Sequence, residues 1–236
     1  MKILCVADMI DPLVYSDQIK TRYADVGLAL SAGDLPMDYL EFIVSSLNVP
    51  LHFVFGNHNL DEYDYYISGR AGSSNDMMER QRGEHNFSSG LIHAGNHLRR
   101  EGQLLIMGLG GSMRYNKSEN QYTEFQMYWR IIKLLPHLFW NKLIHKRYVD
   151  ILLTHAAPAG IGDLSDPCHK GFKAFLWFME KFKPKYLLHG HIHLYDMSAP
   201  RVHKYCETTI INVYSHYIVD TDTTITVNIE ENKNNV

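Results

Sequence analysis

Cysteine is scarce: Cys5, Cys168 and Cys206 lie far apart and form no Cys-x-x-Cys pair. That spacing supports neither a structural zinc site nor a disulfide framework, and it fits a reducing compartment. Long hydrophobic runs are missing too. The greasiest region is interrupted by Lys133, His137 and Lys142, short of the ~20 apolar residues that a membrane-spanning helix needs. The first residues lack the basic start and apolar stretch of a signal peptide, so the expected location is cytoplasmic. The Asn-x-Ser matches at Asn86 and Asn116 then carry no meaning. Charge of one sign is also lacking, since 23 Lys+Arg stand against 26 Asp+Glu for a net charge of -3. No stable nucleic-acid complex is expected, because such complexes are held by a surplus of cations. Neither the Gly-x-Ser-x-Gly elbow of serine hydrolases nor the lysine-bearing phosphate loop of P-loop enzymes occurs.

What is present suffices for a large core. A mass of 27.3 kDa implies that folding hides about 72% of the unfolded chain's surface. With 45% hydrophobic and 12% aromatic residues, the 236-residue chain has an ordinary globular composition. No repeat, low-complexity linker or boundary stands out, so a single domain over residues 1–236 is expected.

Apolar runs at residues 3–7, 26–32 and 51–55 read as buried strands, with a helix beginning at Pro36 between the second and third. Residues 61–89 are polar, Gly-rich and without period, and read as an exposed loop insertion. Strands are expected near residues 90–94 and 104–107, followed by Gly108, Gly110 and Gly111, glycines that let backbone pass close to neighbouring loops. An aromatic-rich helical region reaches about Arg147 and is expected to break at Pro136. A strand at residues 149–153, a helix from Phe172 to Phe182 and a strand at residues 186–188 come next. The Thr-, Ile- and Val-rich tail, residues 202–229, reads as antiparallel strands.

The informative pattern is where polar side chains fall. Asp8, Asp34, Asn57 with His58, His155, and His191 with His193 all sit at the C-terminal ends of apolar strands, where α/β sheets place their ligands. Any one of these is an ordinary loop residue; five coincident strand exits are not. Carboxylate and amide oxygens with imidazole nitrogens suit Mn, Fe, Zn and related divalent ions, and a thiolate set is absent.

In order and spacing, Gly33-Asp34, Gly56-Asn57-His58, His155 and Gly190-His191-Ile192-His193 resemble the signature of calcineurin-like metallophosphoesterases. The resemblance covers residues 3–193. It implies a four-layer α/β/β/α sandwich of two mixed sheets flanked by helices, with a two-metal centre on loops at the strand ends. It further implies that Asp34 bridges both ions, that Asp8 and His193 serve one, and that Asn57, His155 and His191 serve the other. His58 would stand beside the phosphate as general acid or orienting residue, while a hydroxide held between the ions attacks in line. Mn is the first expectation for the metal, with Fe, Zn, Ni or Mg as alternatives. The expected substrate is a phosphorylated small molecule or nucleotide.

Two positions depart from the family pattern. Where Asp-x-His is usual the chain reads Asp8-Met9-Ile10, and Gly56-Asn57-His58 continues to Asn59 where an acidic residue is usual. Ile10 cannot ligate. Asp11 either supplies an oxygen in its place or forms a turn with Pro12. The altered motif also leaves open a rival function, a scaffold that keeps the fold without the catalysis. Arg114, Tyr115 and Asn116 follow the glycine turn and are either substrate contacts or solvated loop residues. The aromatic stripe from Phe125 to Ile144 is either core or an exposed oligomer contact, substrate cap or membrane-surface face.

Overall fold

The computed structural model describes residues 1–58, 60, 63, 66, 90–195 and 200–222. The apolar runs become strands of two sheets. In the first, β1 (Lys2–Ala7), β2 (Val26–Ser31), β3 (Leu51–Phe53) and β4 (Leu91–His93) are successive parallel neighbours. The last described strand, β13 (Ser215–Asp220), closes the β1 edge antiparallel. In the second, β6 (Leu104–Leu109), β9 (Ile151–Thr154), β10 (Tyr186–His189) and β12 (Thr208–Asn212) are parallel. Its edges are antiparallel: β5 (Leu98–Glu101) lies beside β6, and β11 (Val202–Tyr205) beside β12. A short pair, β7 (Ser112–Met113) and β8 (Gln121–Tyr122), stands apart.

Side chains alternate across a strand, and here both faces of each sheet are covered, which is why the strands read as continuous apolar runs. Between the sheets, Ile3, Cys5, Leu28 and Leu30 meet Ile106, Ile151, Leu188 and Ile211. On the outer face of the first sheet, Leu4, Val6 and Phe53 pack with Leu40 and Ile43 of α2 (Met37–Leu47), near the short α1 (Ile19–Arg22). On the outer face of the second, Met107, Leu152 and Leu187 pack with Met127, Ile131 and Leu138 of α3 (Glu124–His145) and with Phe175 and Phe178 of α4 (Lys173–Phe182). The result is four layers, helix on sheet on sheet on helix.

Two expectations change. Pro136 does not end the helix: α3 runs through it as one element of 22 residues. A proline inside a helix costs about 3 kcal/mol, which Met127, Ile131, Leu134 and Leu138, buried on both sides of it, offset at roughly 1.5–3 kcal/mol each. The tail is not wholly antiparallel, because β12 joins β10 in parallel and β13 crosses to the first sheet; the alternation at residues 224–229 lies outside the described residues. So does most of the insertion at 61–89. Its two described residues, Tyr63 and Tyr66, are half-buried and pack edge-on against Phe55 and Phe53, at 5.3 and 5.1 Å between ring centres.

Candidate metal centre

The exits of β1, β2, β3, β9 and β10 lead directly to Asp8, Asp34, Asn57, His155 and His191. Asp8, Asp34 and His191 all have left-handed backbone, with φ of 65°, 57° and 67°. This conformation costs a non-glycine residue roughly 1–2 kcal/mol, and it is held here by contacts between the loops. Both oxygens of Asp8 accept the backbone N–H of His191 (3.0 and 2.9 Å), and Asp34 Oδ1 accepts that of His58 at 2.8 Å.

Asp34, His155 and His191 form a compact group whose candidate ligand atoms lie within 4.8 Å of one another. His155 is fully buried. Its Nδ1 faces the carbonyl of Ala32 at 2.8 Å, which leaves Nε2 toward Asn57 Oδ1 at 3.1 Å and Asp34 Oδ2 at 3.3 Å. His191 is fixed from its other nitrogen, with Nε2 against the carbonyl of Cys168 at 2.7 Å, which leaves Nδ1. A backbone carbonyl behind each imidazole sets tautomer and orientation as in metal sites generally. The donors are two nitrogens with carboxylate and amide oxygen, a set that fits divalent Mn, Fe or Zn.

The ionisable groups of this cluster perturb one another strongly. Burial pushes Asp8 up to about 7, with the charge of Asp34 adding to it. Burial alone would raise Asp34 as well, but His155 outweighs it and holds that carboxyl well below the usual range. Burial would lower His155, yet Asp34 carries it up to about 9. Burial and the neighbouring His155 push His191 down to about 3.

The other expected residues are placed as follows. His193 is exposed, with its ring 5.1 Å from that of Tyr214, and it stands outside the compact group. His58 presents an exposed side chain beside Asp34. Ile10 is exposed, and Asn59 lies outside the described residues. Asp11 takes the turn alternative: its carboxylate accepts from Leu13 N at 2.7 Å and from Ser215 and His216 on β13. Of the glycine-turn residues, Tyr115 reaches the site, its hydroxyl 3.3 Å from Asn57 Nδ2. Arg114 instead bonds Gln121 O and Gln126 Oε1, and Asn116 caps Ser118 N. Gly110 makes the close approach expected of it: a Cβ there would stand 2.3 Å from the carbonyl of Phe55, just before the Gly56-Asn57 turn.

Burial alone would raise Asp11, but its hydrogen bonds to Ser215, His216 and Leu13 outweigh this and hold its carboxyl below the usual range. A lowered carboxyl stabilises above its unfolded pKa and loses that contribution as pH falls through the folded one. Asp11→Ala is therefore expected to cost about 1–3 kcal/mol at neutral pH, with the gap to wild type closing in acid and metal titration unchanged. Chemical denaturation at pH 7 and at acid pH, beside a Mn²⁺ titration, checks this.

Sequence reasoning did not find Ala32, Cys168 or Asn120. The first two act through backbone carbonyls; the third donates to the carbonyls of Phe55 and Gly56 and braces the loop that carries Asn57. No residue type encodes a backbone acceptor. Asp166, Cys168 and His169 form a second compact group beside the first, with the His169 ring 5.2 Å from that of His191. Their polar atoms satisfy one another, Asp166 being held down to about 2 chiefly by the Cys168 thiol.

The model of the calcineurin-like phosphoesterase family matches residues 1–195. One crystal structure is similar with a TM-score of 0.64 at 11% identity, covering 94% of this chain and 95% of its own. The crystal structure of TT1561 from Thermus thermophilus is similar with a TM-score of 0.59 at 12% identity, covering 90% of this chain and 88% of its own. At such identities the likeness is one of fold. No curated protein matches.

Proposed function

The chain belongs to the calcineurin-like phosphoesterase family, and we propose that it hydrolyses phosphomonoesters or phosphodiesters with the help of two divalent metal ions. The observation that carries this reading is the group of half-buried Asp34 with buried His155 and His191, each imidazole fixed through its second nitrogen. Asn57, His155 and His191 are the residues to hold one ion, Asp8 and His193 the other, and Asp34 both. When bound, such ions supply an activated water and polarise the phosphoryl oxygens.

The chain's own residues do the rest. His155 and His191 must enter the site as neutral ligands, and the Ala32 and Cys168 carbonyls hold their far nitrogens in the tautomer that allows it. Tyr115 steadies the amide of Asn57. The backbone of His58 is tied to Asp34, which sets its exposed imidazole at the rim, where it orients the phosphate and gives a proton to the leaving oxygen. His58→Ala is expected to lower turnover of chromogenic mono- and diesters by about 10²-fold or more while bound metal stays at the wild-type level. Full turnover in that variant would remove His58 from the mechanism.

The exposed Ile10 favours one second reading, a scaffold with an incomplete first site. Metal analysis of the purified protein together with hydrolysis of chromogenic mono- and diesters in Mn²⁺ separates the two, since a scaffold would be metal-poor and would turn over neither ester.

A further inference from the structure

We infer that α3 is a docking face for an anionic lipid surface, on which the protein lies without crossing it. The face is apolar and uncovered. Phe125, Trp129, Ile132, Phe139, Trp140 and Leu143 are all exposed, Phe125 by 77%, Leu143 by 66% and Trp140 by 63%. At about 100° per residue these six fall within about 100° of arc, opposite the buried Met127, Ile131, Leu134 and Leu138. The stripe runs from residue 125 to residue 143 of this 22-residue helix, roughly 27 Å at 1.5 Å per residue. Lone exposed apolar side chains are ordinary, whereas a continuous stripe marks an interaction surface.

Charge selects the occupant. From residue 125 to residue 149 there is no Asp or Glu, while Arg130, Lys133, Lys142, Lys146 and Arg147 are basic. Arg130 is turned inward onto Asn96 and Gly110, and Arg147 pairs with Asp150. Lys133, Lys142 and Lys146 are exposed, and among the described residues none of them pairs with a carboxylate. A second copy laid on this face would bring lysines against lysines, with Glu124 the one acid on the helix and its carboxylate already engaged by the backbone N–H groups of Lys173 and Ala174. An anionic bilayer meets both features, taking the aromatic side chains into its interface and the lysines at its phosphates. Among the described residues no helix is long and apolar enough to cross a membrane, so the contact is one of lying on the surface. The docking face also begins near the metal loops: Gln126 in the first turn of α3 bonds Arg114 at 3.0 Å, next to the Tyr115 that touches Asn57.

The test is co-sedimentation of the full chain with vesicles of phosphatidylcholine alone and with about 30% phosphatidylglycerol, at low and high salt, alongside sedimentation velocity without lipid. Each lysine near an anionic surface contributes about fivefold to partitioning, so binding to the anionic vesicles should exceed that to the neutral ones by more than ~10-fold and fall with salt. Trp140→Ser with Leu143→Ser, two exposed positions, should lose that binding by ~10-fold or more while metal content and thermal midpoint stay at wild type. Equal or absent binding to the two vesicle types would overturn the inference. So would a lipid-free dimer that the same double variant dissociates, which would assign the face to a second copy instead.

Discussion

Replacing His155 by alanine should remove metal binding at the better-furnished position and with it essentially all hydrolysis. Losing a residue that merely orients a ligand costs about 10–100-fold in metal affinity or activity; losing the ligand itself should cost more. His155 is also the group that holds the Asp34 charge in a buried place. Without it Asp34 in the metal-free site keeps the backbone N–H of His58 but loses its cationic neighbour. A Mn²⁺ titration of the wild type should show a tight step, from Asp34, Asn57, His155 and His191, and a looser one, from Asp8, Asp34 and His193. Fewer ligands serve the second because Ile10 supplies none and Asp11 is engaged on β13. His155→Ala should lose the tight step, and a titration curve matching the wild type would refute its place as a ligand.

Adding a single methyl group at Gly56 should be nearly as damaging. A Cβ there would stand 2.0 Å from Asp34 Oδ1 and 2.6 Å from His155 Cε1, distances at which one of the two groups has to move. Overpacking a core costs about 1–3 kcal/mol and occasionally more, and here the atoms displaced are the ligands. Gly56→Ala is therefore expected both to lower the thermal midpoint and to lose the tight metal step. Gly102→Ala is the control: its φ of +56° brings backbone strain, but nothing lies within 4 Å of the added atom, so stability should fall slightly with metal binding intact. If the two variants bind metal alike, the packing of the Gly56 loop against Asp34 does not govern the site.

The strand exits were legible because burial on both faces makes a strand a short apolar run, and each such run stops at a polar residue whose type is visible. The resemblance ordered those residues and implied the sandwich, and the sheets follow it. Less local features were not legible. Whether Pro136 breaks α3 is decided by apolar contacts on both sides of it, not by the proline. Whether Asp11 ligates or turns depends on Ser215 and His216, more than 200 positions away. The carbonyl behind His155 belongs to Ala32, 123 positions earlier, and a main-chain atom leaves no mark in composition. The exposure of the α3 stripe was one of two open alternatives, because a helix read alone does not say which of its faces finds a partner.

Hydrolysis of p-nitrophenyl phosphate and bis(p-nitrophenyl) phosphate by chelator-stripped protein, before and after addition of Mn²⁺, tests the metal-dependent reaction most directly. The expected result is no turnover in the stripped protein and restored turnover on at least one of the two esters once Mn²⁺ is added. Turnover that survives stripping unchanged, or protein that binds Mn²⁺ and hydrolyses neither ester, would contradict it.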